Sequence, residues 1–412
     1  MAKLARLGGC GLQGSVLRRR FSWGALLVLL LGWAWSRPPS ADAGRNRPGS
    51  GSGAERPRAP RNETGRAKPS AEPRKPGDQQ ARGESKRPPS ADQAGDGGGA
   101  FASAESCEAL VGAGQRLPRA IGTARFASWN LHWFPDGEPG QRASGVDLRW
   151  LACAMTWLDA DVLAVQEVKQ TPEAAAALAS LLDELNRRSG ARYVARLDDC
   201  GRRVPQHVGL LWNEARVTAS DVQTVAALNP HGSACESQLR PGLAARLRLP
   251  GGLDLSVVSA HFKSMTDRRA FGLRRASFNA VPGVLRDLTR AAHDDDFLLL
   301  GDLNTMGCDD CAPVVSPRDE VVAFETLLRG AGLRLVAADA AGSELHDGQL
   351  TLLDHALAAA AMRELLPGTH SHLAGACAAG AAPLSHRAAK KLSRSLSDHC
   401  PLVLDLTDRD LD

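Results

Sequence analysis

Residues 298–307 read LLLGDLNTMG, three leucines and a glycine followed at once by Asp302, Leu303 and Asn304. Phe297–Leu300 is too short and too uniformly apolar for an amphipathic helix, so it reads as a buried strand whose polar residues begin where it leaves the core. The same pattern recurs on either side. Upstream, Arg125–Leu131 (RFASWNL) ends near Asn130, Asp161–Val168 (DVLAVQEV) carries Gln166 and Glu167 at its end, and Leu253–Phe262 (LDLSVVSAHF) closes with His261. His207–Trp212 is another strand. Downstream, Asp354 and His355 follow Leu350–Leu353, and Ser397-Asp398-His399 precedes Pro401–Leu406.

Helical patterns fall between these strands. Val146–Leu158 places Leu148, Leu151, Met155 and Leu158 on one face. Thr171-Pro172-Glu173 opens a second helix with a hydroxyl cap, a proline at the first helical position and a first-turn acid. Leu178, Leu181, Leu182 and Leu185 form its apolar stripe. Strands alternating with helices predict α/β layers, in which function sits at strand ends.

An acid after a strand is ordinarily a turn or a cap, and a lone histidine is ordinarily a satisfied core residue. Six strand edges that each offer Asn, Asp, Glu or His form a set. Carboxylate and amide oxygens favour a hard cation such as Mg²⁺, Mn²⁺ or Ca²⁺ over zinc. Histidines beside carboxylates supply a base and a donor tunable to near-neutral pH. Together they suit hydrolysis of a phosphoester, which needs charge neutralisation, a base for water and donors for the transition state. The chain has no Gly-x-Ser-x-Gly elbow, Walker loop or His-Glu-x-x-His to point to a rival chemistry.

Charge is distributed unevenly along the 412 residues. Residues 1–36 carry Lys3, Arg6, Arg18, Arg19 and Arg20 and no acids, while 37–100 hold 13 basic and 8 acidic residues. That leaves 32 basic against 38 acidic residues in 101–412, so the formal charge of +4 belongs to the N-terminal part. Net charge therefore gives no argument for non-specific nucleic-acid binding by the domain. Phe21–Trp35 (FSWGALLVLLLGWAW) follows three arginines and is short for a membrane span, so 1–36 reads as a signal peptide or an N-terminal membrane anchor. Residues 37–100, rich in Pro, Arg and Gly without apolar periodicity, read as a disordered linker. The chain is expected outside the cytoplasm: secreted, periplasmic, or held at the membrane by an uncleaved apolar segment.

Eight cysteines lie in the domain. Their even number permits up to four disulfides, of which no more than two are expected. Cys308-Asp309-Asp310-Cys311 reads as a loop-pinning disulfide, because structural zinc needs four ligands and no second such pair is present. Arg387, Lys390, Lys391 and Arg394 fall at helical spacing before Asp398. Arg268, Arg269, Arg274 and Arg275 follow His261; both groups read first as solvated helix faces. Asp294–Asp296 and His370/His372 read as loop residues.

The ordered series SWNLHW (128–133), DVLAVQEVK (161–169), SAHFKS (259–264), LLLGDLNTMG (298–307), LLDHAL (352–357) and LSDHCPLVLDL (396–406) resembles the endonuclease/exonuclease/phosphatase superfamily, the deoxyribonuclease I-like proteins. The resemblance covers about 125–406. It implies an α/β four-layer sandwich of two central mixed β-sheets flanked by helices. By motif it implies that Asn130 and Glu167 hold the essential cation, Mg²⁺ or Mn²⁺ with auxiliary Ca²⁺, and that Asp398 binds or positions metal. Asp302 would orient or deprotonate water, Asn304 would donate to phosphate, and His261 would stabilise the transition state or protonate the leaving oxygen. Asp354 would orient His399, a proposed general base, and Lys169 would touch phosphate. His132 stands where relatives often have an acid or amide. The function implied is a monomeric nuclease acting on DNA or RNA. A lipid or inositol phosphate phosphatase or sphingomyelinase-like enzyme is the second reading, and a silent binding module the third.

Overall fold

Two short helices lead into the described part of the chain, α1 (Gly99–Ala102) and α2 (Ala104–Gly112), the second capped by Ser103, whose side chain accepts from Ser106 N. The computed structural model describes residues 99–139, 145–201, 205–233, 235, 239–346, 349–381 and 384–412, all within the unit Glu84–Asp412. The expected leader or anchor and residues 37–98 of the expected linker lie outside the described residues. Among the described residues no helix is long and apolar enough to cross a membrane.

The chain continues through β1 (Thr123–Phe134), α3 (Leu148–Leu158), β2 (Val162–Val168), α4 (Pro172–Ser189), β3 (Tyr193–Leu197) and β4 (His207–Asn213). Next come β5 (Thr218–Val225), β6 (Gly242–Arg248), β7 (Asp254–His261), α5 (Arg268–Ala292) and β8 (Phe297–Asp302). Then follow α6 (Pro317–Gly330), β9 (Leu333–Val336), β10 (Glu344–His346), β11 (Gln349–Thr351), β12 (Asp354–Ala359), β13 (His372–Leu373), α7 (His386–Ser395) and β14 (Leu402–Thr407). The helix expected from the apolar stripe over Val146–Leu158 forms from Leu148, after Asp147 accepts from Arg149 N and Trp150 N, and the helix expected from its cap forms with Thr171 capping α4 ahead of Pro172.

Two six-stranded sheets result, β13-β14-β1-β2-β4-β3 and β5-β6-β7-β8-β12-β9, with β10 and β11 as a separate hairpin. Both are mixed in the same way. Each is antiparallel except for one central parallel pair, β1–β2 in the first and β7–β8 in the second. The sheets face each other: Gln166 Nε2 donates to Ser259 Oγ at 3.4 Å, and Ser259 Oγ to Val165 O at 3.3 Å. Outside the first sheet, Met155, Leu158 and Leu185 of α3 and α4 meet Leu163, Tyr193 and Leu211. Outside the second, Phe278 of α5 stacks on Phe324 of α6 at 3.8 Å and meets Phe262 edge-on at 5.2 Å. This is the expected sandwich of two mixed sheets flanked by helices.

Register explains why the polar strand ends gather. In the parallel pairs Asn130 lies beside Gln166, and His261 beside Asp302. Antiparallel β12 starts where β8 stops, with Asp354 opposite Asp302, and β14 starts beside the middle of β1, with Leu402 opposite Ser128, two residues before Asn130. Asp354 thus opens a strand instead of following one, and Leu350–Leu353 is not a core strand, since Gln349–Thr351 belongs to the hairpin. β1 also runs on to Phe134, through His132 and Trp133 at positive φ of 47° and 51°. β3, β5, β6 and β9 had no strong apolar signature; β5 (TASDVQTV) is a largely exposed edge strand.

All eight domain cysteines are paired, Cys107–Cys153, Cys200–Cys235, Cys308–Cys311 and Cys377–Cys400. This corrects the expectation of at most two bridges. Three of the pairs span 23 to 46 residues, and sequence alone could not bring their partners within bonding distance. Arg274 is a second correction. It does not belong to a solvated face but is fully buried, bound to Glu320 at 2.9 Å and to Met265 O and Gly307 O at 2.6 Å each. One guanidinium thereby clamps α5 to the loops that follow β7 and β8.

Arg125 plays the same part at the other end of β1. It is fully buried, grips Asp405 with two bonds of 2.8 Å, and donates to the carbonyls of Leu117, Pro118 and Leu158. Removing one member of a buried ion pair strands the other, so Arg125→Met should lower unfolding stability by ~3–5 kcal/mol, read from the urea midpoint. Arg125→Met combined with Asp405→Leu should recover part of that loss, because no charge is then left without its partner.

Candidate active site

Asp302, at the end of β8, is the most heavily surrounded polar residue of the strand-end set. It is buried, and Oδ2 accepts from Asn130 Nδ2 at 3.0 Å, across from the other sheet. His261 Nε2 stands 3.5 Å from the same oxygen and His399 Nε2 stands 3.8 Å from it. Oδ1 accepts from Asn304 N at 3.0 Å, which folds the chain over the strand end. Asn304 Nδ2 reaches Phe262 O at 3.2 Å, with its backbone at φ 51°.

His399 is held from behind. Its Nδ1 lies 2.7 Å from Asp354 Oδ2, and Asp354 is fully buried at the start of β12. Ser397 Oγ accepts from His399 N and donates to Asn130 O at 2.6 Å, while Trp129 Nε1 donates to His399 O at 2.9 Å. The loop before β14 is thus sewn to β1.

The first sheet contributes Glu167 and Asn130. Glu167 Oε2 accepts from Trp133 N at 3.0 Å, and Oε1 lies 3.7 Å from His261 Nε2. Asn130 Oδ1 accepts from His132 N at 3.0 Å, and His132 Nδ1 pairs with Asp398 Oδ2 at 2.5 Å. His132, Trp133, Glu167 and Asn304 all have positive φ without being glycine. Such backbone costs about 1–2 kcal/mol per residue and concentrates where a function demands it.

The electrostatics divide the groups. Burial, reinforced by the neighbouring charge of Asp398, raises the Glu167 pKa. Burial pushes Asp302 up to about 8, against the opposing pull of His399 and Asn130. His261 is driven well below its usual pKa by burial and by the charges of Arg240 and His399, so its ring is neutral. Burial also opposes charge on His399, but Asp354 outweighs it and holds the imidazole well above its ordinary pKa. His132 is raised in the same way, burial being overcome by Asp398.

Asn130, Glu167, His261, Asp302, Asn304, Asp354, Asp398 and His399 are therefore brought to one edge of the sandwich, seven of them linked by contacts within 4 Å and Asp398 joined through His132. Lys169 is not brought into that cluster. Its ammonium binds Asp136 Oδ1 and Gly137 O, both at 2.6 Å, beside the Trp133 ring. Asn130, Glu167 and Asp398 offer oxygen donors to a hard cation. The raised Glu167 pKa, with Asp398 as a contributor, marks a place where carboxylates crowd and a cation would relieve them.

Arg240 was not legible in the sequence. It precedes β6 and is buried, with Nη1 donating to Gln206 Oε1 at 2.6 Å and Nη2 near Phe262 O at 3.4 Å. Its charge acts on both Glu167 and Asp302. No motif surrounds it, and only the tertiary path of the β5–β6 connection carries it under the site.

No family model matches the chain, and no curated protein matches it. Among solved structures it is similar to an endonuclease/exonuclease/phosphatase from Bacteroides vulgatus, at 15% identity over 70% of this chain and 99% of that one, with a TM-score of 0.48. It is also similar to a mannosyl-6-phosphatase from Bacteroides thetaiotaomicron, at 14% identity over 69% of this chain and 99% of that one, with a TM-score of 0.45. A third is the catalytic domain of human Nocturnin, at 16% identity over 70% of this chain and 96% of that one, with a TM-score of 0.44.

Behind the site, His355 Nε2 lies 2.8 Å from Thr305 Oγ1, whose hydroxyl donates to Leu352 O. Burial lowers the His355 pKa from 6.5 to about 4. The unfolded chain therefore takes up this proton before the folded one, and stability present above pH 6.5 is lost as pH falls toward 4, by up to ~3 kcal/mol. In His355→Gln this part of the acid-side slope should vanish, as measured by urea unfolding at several pH values across the same window.

Proposed function

We propose that the chain is a divalent-metal-dependent phosphodiesterase of the endonuclease/exonuclease/phosphatase superfamily, acting outside the cytoplasm on a nucleic-acid backbone. The observation that carries this reading is the convergence on one buried carboxylate. Asn130, His261 and His399 stand 3.0, 3.5 and 3.8 Å from Asp302 Oδ2, with Asp354 behind His399 at 2.7 Å. Burying a carboxylate among imidazoles and an amide is costly for folding, and such perturbed groups concentrate at functional sites.

Asn130, Glu167 and Asp398 would hold Mg²⁺ or Mn²⁺, which when bound neutralises charge on the phosphate. Asp302, with its proton affinity raised toward neutrality, takes the proton of the attacking water. As the water oxygen bonds to phosphorus, the bond to the leaving ester oxygen breaks, and His399, kept cationic by Asp354, gives that oxygen a proton. Neutral His261 donates from Nε2 to an oxygen of the transition state, and Asn304 supplies a further donor. This gives Asp302 the role of base and makes His399 a donor.

The nucleic-acid reading draws support from local cations in an otherwise acidic domain. Arg387, Lys390, Lys391 and Arg394 are all exposed on α7, which ends just before the loop carrying Asp398 and His399. Lys263 follows His261 by two residues, and its charge and that of buried Arg240 both act on His261. Exposed cations on the helix that leads into the Asp398-His399 loop suit a substrate with many phosphates. Four disulfides are compatible with an oxidising compartment.

The full chain should be given supercoiled plasmid, RNA, bis(p-nitrophenyl) phosphate, sphingomyelin and inositol phosphates, with Mg²⁺ or with chelator. Nicking or RNA cleavage abolished by chelator is the expected result. Asp302→Asn and His399→Ala should each lower kcat by about 10²-fold or more, without lowering the unfolding midpoint of Asp302→Asn. Turnover of the lipid or inositol substrates alone would overturn the nuclease reading, and no metal-dependent turnover at all would overturn the enzyme.

A further inference from the structure

A second group of acids lies at the other end of β8. Asp294 and Asp296 precede the strand, so Asp296 stands about 20 Å along it from Asp302. Ligand oxygens of Asp294, Asp296 and Asp412 all lie within 4.8 Å of one another. Glu364, from the segment after β12, closes the group: its carboxylate contacts Asp296 and its charge acts on Asp412.

Acids at a surface commonly gather without a ligand, but these are not all at the surface. Asp296 is 3% exposed and Glu364 1%. Asp296 Oδ1, Glu364 Oε2 and Asp294 Oδ2 are buried atoms without a hydrogen-bond donor. The opposite oxygens of two of these carboxylates are occupied in fixing the chain: Asp294 Oδ1 accepts from Asp296 N at 2.9 Å, and Glu364 Oε1 accepts from Leu411 N at 2.6 Å. Arg246 forms an ion pair with Asp294 Oδ2 at 3.8 Å without a hydrogen bond to it, and its hydrogen bonds go to Asp254 at 3.2 Å and to the carbonyl of Ala292.

We propose that Asp294, Asp296, Glu364 and Asp412 bind a divalent cation of the calcium class, at a site separate from the candidate active centre. Buried carboxylates in contact cannot all be ionised unless a positive charge stands between them, and water cannot supply it. Four carboxylates leave several positions to water, which suits the six to eight oxygens of Ca²⁺ better than the strict octahedron of Mg²⁺. A cavity of about 640 Å³, lined by Arg246, Asp254, Asp294, Asp410 and Asp412, provides the way in and room for those waters. Arg286 and Arg290 also line it, and Arg290 lies 3.7 Å from Asp287. The ion would tie together the α5–β8 connection, the segment after β12 and residues 408–412, a structural cross-link with no part in the chemistry.

The test uses the full chain stripped of metal, in its native form and as Glu167→Ala, which weakens the candidate active centre, with Ca²⁺ alone as the probe. Equilibrium dialysis should show one equivalent of Ca²⁺ retained by Glu167→Ala and lost when Asp296→Asn is added. Saturating Ca²⁺ should raise Tm by about 3 °C or more in the parent and not in Asp296→Asn. In chelator, Asp296→Asn should unfold at the parent's temperature or above it, because a like-charge contact has been removed. Equal Ca²⁺ stoichiometry and an equal rise in Tm in parent and Asp296→Asn would overturn the site. So would absence of bound Ca²⁺ in Glu167→Ala, which would mean that Asp296 and Glu364 simply share a proton. Should Asp296→Asn fail to fold, Asp294→Asn is read by the same two measurements and the same outcomes.

Discussion

The hydrogen bond from Asn130 to Asp302 joins the two sheets at their functional edge, and the rest of the site is arranged about it. Asn130 belongs to β1 and Asp302 to β8, the inner members of two separate sheets, and the bond is only 3.0 Å long. It can form because the sheets share a plan. Each has a single parallel pair at its centre, so neighbouring strands deliver Asn130 with Gln166 and His261 with Asp302 to the same end. Antiparallel β12 then begins where β8 stops and brings in Asp354, and β14, which begins beside the middle of β1, brings in the Asp398-His399 loop.

Holding so many polar groups out of water demands partners for nearly all of them. Buried arginines provide many. Arg125 anchors the far end of β1 to Asp405 and three carbonyls, and Arg274 binds Glu320 together with the backbone after β7 and β8. Ser397 and Trp129 bind the His399 loop to β1. These bonds account for how strand ends and the loop after β8 can hold residues at strained backbone angles: the surrounding structure over-determines them.

Within that frame, two histidines of one type acquire opposite states. His261 has cations nearby and no carboxylate in hydrogen-bond contact, so burial prevails and it is neutral. His399 touches Asp354 and is kept charged. A neutral imidazole, a cationic imidazole and a carboxylate with raised proton affinity thus meet around one point. Both acidic clusters described above hold buried oxygens without donors, Asp354 Oδ1 in one and Asp294 Oδ2, Asp296 Oδ1 and Glu364 Oε2 in the other, but the first is interleaved with imidazoles and lies within reach of the charge of Arg240.

Much of this was legible in the chain itself. Apolar runs such as Phe297–Leu300, the cap at Thr171-Pro172 and the stripe of α3 specify their elements locally, because burial period and capping chemistry act over a few residues. The polar strand ends, in their order, named eight residues of the site edge. Other features required the folded chain. β5 has few apolar positions and is a strand through pairing with β6 alone. Lys169 follows a strand end in sequence, yet Asp136 holds its ammonium. Arg274 reads as one more surface cation, and only Glu320, 46 residues away, makes it buried. Arg240 carries no local signal, and the disulfide partners are chosen by proximity in space. Local pattern set which polar residues stand at the strand ends. The tertiary structure decided which of them meet, and in what charge state, because burial and neighbouring charge depend on contacts between segments far apart in the chain.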